Sequence, residues 1–255
     1  LRRVKYHTMK ESHLFYAPDL KSAGALPADE AAHAVRVLRM QEGDALWATD
    51  GCGRFYDCHI VSIVPGRKPE CFVEIDCERS WQRPWHTEVC VAVAPTKHAD
   101  RIEWLAEKAT EIGVDRMQWL DCAFSERRAL KPDRLERIVV SAMKQSHKAC
   151  LPQMGEMVKL KRFLEQPFEG DKFIAHCYAQ SDIGETEEKP HLFDVVRADR
   201  PTLVLIGPEG DFSVEEVRAA QAAGFRSITL GESRLRTETA ALVAVQLMNL
   251  KKTMG

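Results

Sequence analysis

From residue 86 onward the sequence alternates between short apolar runs and amphipathic stripes of helical period. No other feature restricts the fold as much. "TEVCVAVAP" reads as a strand. The next segment, "HADRIEWLAEKATEIGV", sets Ile102, Leu105, Ala109 and Ile112 on one helical face, and Gly113 closes it. "RMQWLDC" is a second strand, and Pro132 opens a helix with Leu135, Ile138, Val139, Ala142 and Met143 on one side. "KFIAHCY", "TLVLI" and "SITL" follow as strands, with helices predicted from Ser213 and from Thr237 to Leu250. Strands joined by helices in this order make a mostly parallel sheet with helices on its faces, an α/β fold. The acidic stretch "SDIGETEEKPHLFDVV" is expected to be a surface loop.

The chain before residue 80 has a different grammar. "DALWATDGCGRFYDCHIVSIV" holds two strand-like runs around Asp50-Gly51, a hairpin-turn signal, and "ECFVEID" supplies a third. Ala31, Ala34, Val35 and Leu38 lie at helical spacing in a short helix that Gly43 is expected to end. This predicts a small β-barrel domain over 9–80 and an α/β domain over 86–255, with "ERSWQRPW" at the change. Met9 is read as the native start and residues 1–8 as an upstream extension.

No apolar run approaches the length of a membrane span, and the basic start is not followed by an apolar core, so a cytoplasmic protein with no membrane partner is expected. Eight cysteines occur without a CxxC pair; they are read as buried reduced thiols, and no metal is expected. A formal net charge of −2 does not advertise nucleic acid, but its distribution is uneven. Between Phe124 and Lys148 seven Lys/Arg stand against three acids, a local balance of +4. On composition alone such a stretch is a solvated helix face or an RNA contact.

Two loops carry the chemistry. "TLVLIGPEGDFSVEE" ends a buried strand in two glycines, a proline and two acids, and Ser213 with Glu216 then forms a capping box. "ITLGESRLRTETAALVAVQLM" repeats the pattern, with Arg234, Arg236 and Glu238 where a helix begins. Read as adjacent strand ends, the two loops form a crevice at the carboxyl edge of the sheet. The carboxylates of Glu209 and Asp211 and the lack of a loop lysine disfavour polyphosphate. Neither loop matches a dinucleotide or Walker fingerprint.

"GPEGDF" with "LGESRLRTETAA" resembles the C-terminal signature of the RsmE family, knotted (SPOUT-class) RNA methyltransferases. "HAVRVLRMQEGD", "RIEWLAEKATEIGV", "SERR" and "AMKQSHKACLP" resemble that family's other motifs, so the likeness spans nearly the whole chain from Leu14. The family pattern has glycine where Asp211 stands, Gly-Arg where His147-Lys148 stand, and a β-branched residue in place of Arg234. The resemblance implies a PUA-like RNA-binding barrel followed by a SPOUT domain with a C-terminal trefoil knot. It implies S-adenosylmethionine-dependent methylation of uridine N3 in small-subunit (16S) ribosomal RNA, on the RNA or the 30S particle, by a homodimer. The alternatives that share these motifs are a knotted methyltransferase of another RNA and a non-catalytic RNA-binding or assembly factor.

On the same resemblance Ile206, Gly207, Pro208 and Gly210 line one side of the cofactor, and Leu230, Gly231, Leu235 and Arg236 the other. For that reaction Arg236 is the candidate to stabilise charge on the base, since a guanidinium offers donors to oxygens, and Glu238 takes the proton, orients Arg236, or serves only as a first-turn acid on the helix dipole. Arg36, Arg39, Arg127, Arg128, Arg134 and Lys148 become phosphate contacts. Val243, Val245 and Leu247 of the last helix are expected near a dimer contact.

Overall fold

The computed structural model describes residues 13–255; Met9 and residues 1–8 lie outside the described residues. The chain forms two compact units. One reaches to Gln82 and includes Met143–Leu151; the other comprises Arg83–Ala142 and Pro152–Gly255. The division is therefore not a single cut in the sequence.

In the first unit β1 (Leu14–Tyr16), β2 (Ala45–Thr49), β3 (Arg54–Val64) and β4 (Glu70–Ser80) form one sheet in that order. β1 runs parallel to β2, and the other pairs are antiparallel. The expected hairpin turn is present: Asp50 accepts from the backbone N–H groups of Cys52 (2.7 Å) and Arg54 (3.2 Å), and Gly51 takes φ +74°. The short helix, Ala28–Ala32, runs on as a π turn, His33–Val37, burying Ala31 and Ala34. It ends before Gly43. Arg39 takes the left-handed conformation at φ +56°, and Gly43 instead serves the entry to β2, donating to the Ile60 carbonyl at 2.8 Å.

Met143–Leu151 is bound to this unit by Lys144, which pairs with buried Glu30 at 2.5 Å, and by Thr49, whose hydroxyl donates to the Ala149 carbonyl. His147 sits at φ +53°, edge-on to Trp47. The left-handed backbone that the family pattern assigns to glycine is thus kept by a histidine.

The second unit holds β5 (Val89–Val93), β6 (Arg116–Asp121), β7 (Gln153–Lys159), β8 (Asp171–Ala175), β9 (Thr202–Ile206) and β10 (Arg226–Ile228). All pairs are parallel, in the order β10-β8-β9-β5-β6-β7. Every residue of β5 and β9 is buried, as central parallel strands covered on both faces require. The helix Ala99–Ile112 buries Ile102, Leu105 and Ala109, and the helix Thr237–Met254 buries Ala241, Ala244, Val245 and Met248.

Several expectations change. β7 was not predicted; its "QMGEMVK" is half-buried at an edge and has no apolar run. The acidic 181–196 stretch is not simply a surface loop, because Ile183 and Leu192 of two short helices are buried. Of the eight cysteines, all of them free thiols, Cys58, Cys71, Cys90 and Cys122 are buried, while Cys52, Cys77 and Cys177 are exposed. Burial pushes the Cys58 and Cys90 thiols up to about 12. Val245 faces the core of its own unit, which removes it as a dimer contact; Val243 and Leu247 are half-buried. Among the described residues no helix is long and apolar enough to cross a membrane.

Candidate active site

The two glycine loops do not follow adjacent strands. β8 lies between β9 and β10, because strand order is set by tertiary pairing. What joins the loops is a stitch: the buried Thr237 hydroxyl donates to the Gly207 carbonyl at 3.1 Å. The end of β8 therefore contributes a third segment, His176–Tyr178, that sequence reasoning missed.

The 207–212 loop is closely determined. Ile206, Gly207 and Pro208 are buried, whereas Gly210 is exposed. A Cβ on Gly207 would lie 3.1 Å from both the ring and the backbone nitrogen of Phe212. A Cβ on Gly210 would lie 3.0 Å from Phe124 Cβ, so the neighbour that crowds this position is the side chain of an aromatic residue. Asp211 holds φ +67°, the left-handed conformation for which the family pattern uses glycine. Its carboxylate makes this tenable by accepting from Cys177 N–H (2.7 Å) and from Phe212 N–H (2.8 Å). The loop is thereby stapled to the end of β8. The capping box predicted at Ser213 and Glu216 is present, and the second Glu216 oxygen accepts from Ala123 N–H at 2.8 Å.

Asp211→Ala loses both bonds and leaves a β-carbon in a left-handed position. We expect it to cost about 2–3 kcal/mol, whereas Asp211→Gly should cost about half as much, since only the staple goes. Thermal unfolding of the two variants beside wild type checks the ranking; equal melting temperatures in all three would refute it.

In the second loop Leu230 and Leu235 are half-buried and Gly231 is exposed at φ +124° with open space where a Cβ would stand. Thr229 and Gly231 close a local turn, the Thr229 hydroxyl accepting from Gly231 N–H at 3.2 Å. Arg236 is the N-cap of the last helix. Its carbonyl accepts from Ala240 N–H at 2.7 Å, while its exposed guanidinium makes no hydrogen bond or ion pair among the described residues. Glu238 is buried and does not orient Arg236. One of its oxygens meets Arg101 at 3.3 Å, and the other has no hydrogen-bond partner among the described residues.

His176 is also buried. Nε2 lies 3.0 Å from the Ser227 hydroxyl, and Nδ1 has no hydrogen-bond partner among the described residues. Burial, helped by the nearby Lys189 ammonium, pulls its pKa down to about 4, so the ring is neutral at pH 7. Lys189 itself donates to the carbonyls of His176 (2.7 Å) and Tyr178 (2.9 Å). A histidine that resists protonation when folded but accepts a proton near 6.5 when unfolded contributes stability above pH 6.5, which is lost as pH falls toward 4. In His176→Asn the fall in melting temperature between pH 6.5 and 4 should be shallower than in wild type; parallel pH profiles would contradict this.

The basic residues are dispersed. Arg127 is spent on the loop after β5, its guanidinium donating to the carbonyls of Thr96 (3.1 Å) and Lys97 (2.5 Å). Arg128 is exposed, 3.5 Å from Asp121. Arg134 is paired with Glu103 at 2.5 Å in an open groove of about 570 Å³ between helices, lined also by Asp100 and Glu107. Those carboxylates make the groove unsuited to phosphate. In the first unit Arg36 donates to the Gly66 (2.9 Å) and Arg67 carbonyls, and Arg39 is exposed. Lys148 is half-buried.

The loops suit S-adenosylmethionine. No lysine or arginine occurs in 206–212, Glu209 is occupied by Lys97 N–H at 2.9 Å, and what remains is backbone polar groups between Ile206, Leu230 and Leu235. That donor set fits an adenine and an amino-acid tail rather than a polyphosphate. Among the described residues no group of three or more His, Cys, Asp or Glu could hold a metal ion.

A family model described as an RNA methyltransferase domain matches residues 83–249, and one described as an RNA methyltransferase PUA domain matches residues 26–73. The chain is similar to the crystal structure of a probable rRNA-methyltransferase from Porphyromonas gingivalis, with 44% identity, 95% and 99% of the two chains covered, and a TM-score of 0.87. It is similar to ribosomal RNA small subunit methyltransferase E from Neisseria gonorrhoeae bound to S-adenosyl methionine, with 26% identity, 94% and 97% coverage, and a TM-score of 0.79. It is 29% identical over 242 residues to ribosomal RNA small subunit methyltransferase E of Mycobacterium bovis, covering 91% of this chain and 89% of that one.

Proposed function

Because the chain belongs to the RNA methyltransferase family, with matches to both its methyltransferase and its PUA domain models, we propose that it methylates N3 of a uridine in small-subunit (16S) ribosomal RNA, using S-adenosylmethionine. Its fold is that of the SPOUT class preceded by a PUA-like unit. In this reading the 9–80 segment carries the PUA-like RNA-docking role and 86–255 the methyltransferase, except that Met143–Leu151 belongs to the first unit. Ile206, Gly207, Pro208 and Gly210 hold the cofactor against Leu230, Gly231, Leu235 and Arg236. The cofactor supplies an electrophilic methyl group. The protein acts in the cytoplasm as a homodimer.

N3 of uridine is a poor nucleophile until its proton leaves, and the charge then spreads onto O2 and O4. A guanidinium is suited to that charge, because its planar fork of donors matches carbonyl oxygens. The observation that carries the proposal is the placement of Arg236. Its side chain has no structural partner among the described residues, and the next residue, Thr237, is stitched to Gly207 of the other loop. Glu238 is the acceptor offered for the N3 proton: Arg101 holds one oxygen, and the other is uncommitted. Arg36, Arg39, Arg128 and Lys148 supply phosphate contacts, with Arg127 contributing what its existing partners leave free; Arg134, held by Glu103 in the acidic groove, drops out of the expected set.

The cofactor half of the proposal is tested by melting the protein with S-adenosylhomocysteine and, separately, with ATP. Stabilisation by the first alone is expected; stabilisation by ATP alone would point to a nucleotide-binding protein instead.

A further inference from the structure

Phe124 is half exposed, at 51%, on the turn that follows β6, the strand beside β5 on the side away from β9. Single exposed apolar residues need no explanation. This one differs because it is held in place and because of what it touches. The turn is fastened at both ends: Cys122 N–H donates to the Ser125 hydroxyl at 2.9 Å, and Ala123 N–H donates to Glu216 at 2.8 Å. Glu216 is itself fixed by the capping box of Ser213. The ring's own Cβ lies 3.0 Å from where Gly210 would carry a side chain, so Phe124 packs directly on the glycine loop. Arg127, three residues on, ties the same turn to the loop after β5, and Arg128 is exposed beside it.

An aromatic face, rigidly mounted and open to solvent, thus stands on the rim of the loop assigned to the cofactor, with a cationic residue next to it. We propose that Phe124 is the stacking platform for the target uridine, holding the base out of its RNA stack so that N3 faces the methyl-transfer site. The inference rests on the proposed function. A base removed from its stack needs a replacement face, and aromatic side chains provide one without reading sequence. The adjacent arginine suits the phosphate of the same nucleotide or its neighbour.

The test compares Phe124→Ala, Phe124→Leu and Phe124→Tyr with wild type in methylation of small-subunit ribosomal RNA. Binding of S-adenosylhomocysteine and oligomeric state are measured on each. The alanine and leucine variants should lose roughly tenfold or more in kcat/KM with cofactor affinity unchanged, and tyrosine should retain activity. Full activity in Phe124→Leu would overturn the inference, since leucine keeps the apolar bulk and lacks the face. A dimer that dissociates in Phe124→Ala would also overturn it, because the ring would then be a subunit contact. RNA substituted with 5-iodouridine, irradiated with the wild type, should give an adduct at Phe124. Methyl transfer with neither the adduct nor the variant effect would sink the stacking role and leave the proposed function standing. The adduct without methyl transfer to any RNA would overturn the proposed function and the inference with it.

Discussion

Arg236→Ala should slow single-turnover methyl transfer at saturating cofactor by roughly a hundredfold or more while the protein folds and melts as wild type does and still binds RNA. The two halves of this expectation have separate grounds. The rate loss follows from charge that develops on the base only as N3 is deprotonated and attacked, so the guanidinium acts on the transition state more than on bound RNA. The unchanged stability follows from the structure: the side chain is exposed and makes no hydrogen bond or ion pair among the described residues, and the helix is capped through the Arg236 backbone. Arg236→Lys should recover little, because an ammonium lacks the planar fork. A near wild-type rate in the alanine variant at saturating cofactor would move the search to Glu238 and its partner Arg101.

Gly207→Val should weaken cofactor binding by roughly tenfold to a hundredfold. Gly207 is buried, and a Cβ there already reaches Phe212 N and Cδ2 at 3.1 Å and the Asp211 carbonyl carbon at 3.2 Å. The two further carbons of valine can be housed only by displacing the 207–212 loop. That displacement would strain the Asp211 staple and the Thr237 stitch together. Titration calorimetry with S-adenosylhomocysteine reads the effect, with circular dichroism to confirm the fold. An unchanged dissociation constant would mean that the loop is only a strand-to-helix turn.

How much of this was legible in the sequence depends on the range of the interaction. The strand–helix alternation after residue 86, the hairpin at Asp50-Gly51 and the capping box at Ser213 are local signals, and each is found where its residues predict. The left-handed backbones at His147 and Asp211 are half legible. The departures from the family pattern were visible, but not that both positions would keep positive φ, with Asp211 held by Cys177 and His147 set against Trp47, both distant in sequence. The insertion of β8 between β9 and β10 could not be read, because parallel pairing partners carry no mark of their order. The same is true of the Arg101–Glu238 pair, whose members lie 137 residues apart, and of the use of Arg127 on carbonyls. His176 was passed over inside an apolar strand run, where a buried imidazole looks like any other core residue.

Methyl mapping of small-subunit ribosomal RNA from cells lacking this gene, before and after treatment with the purified protein and S-adenosylmethionine, tests the central claim most directly. Mass spectrometry of nuclease fragments should find one uridine that gains a single methyl group at N3 with wild-type protein and gains none with Arg236→Ala. A methyl group on another base or another RNA, or no transfer by a protein that binds the cofactor, would contradict the account.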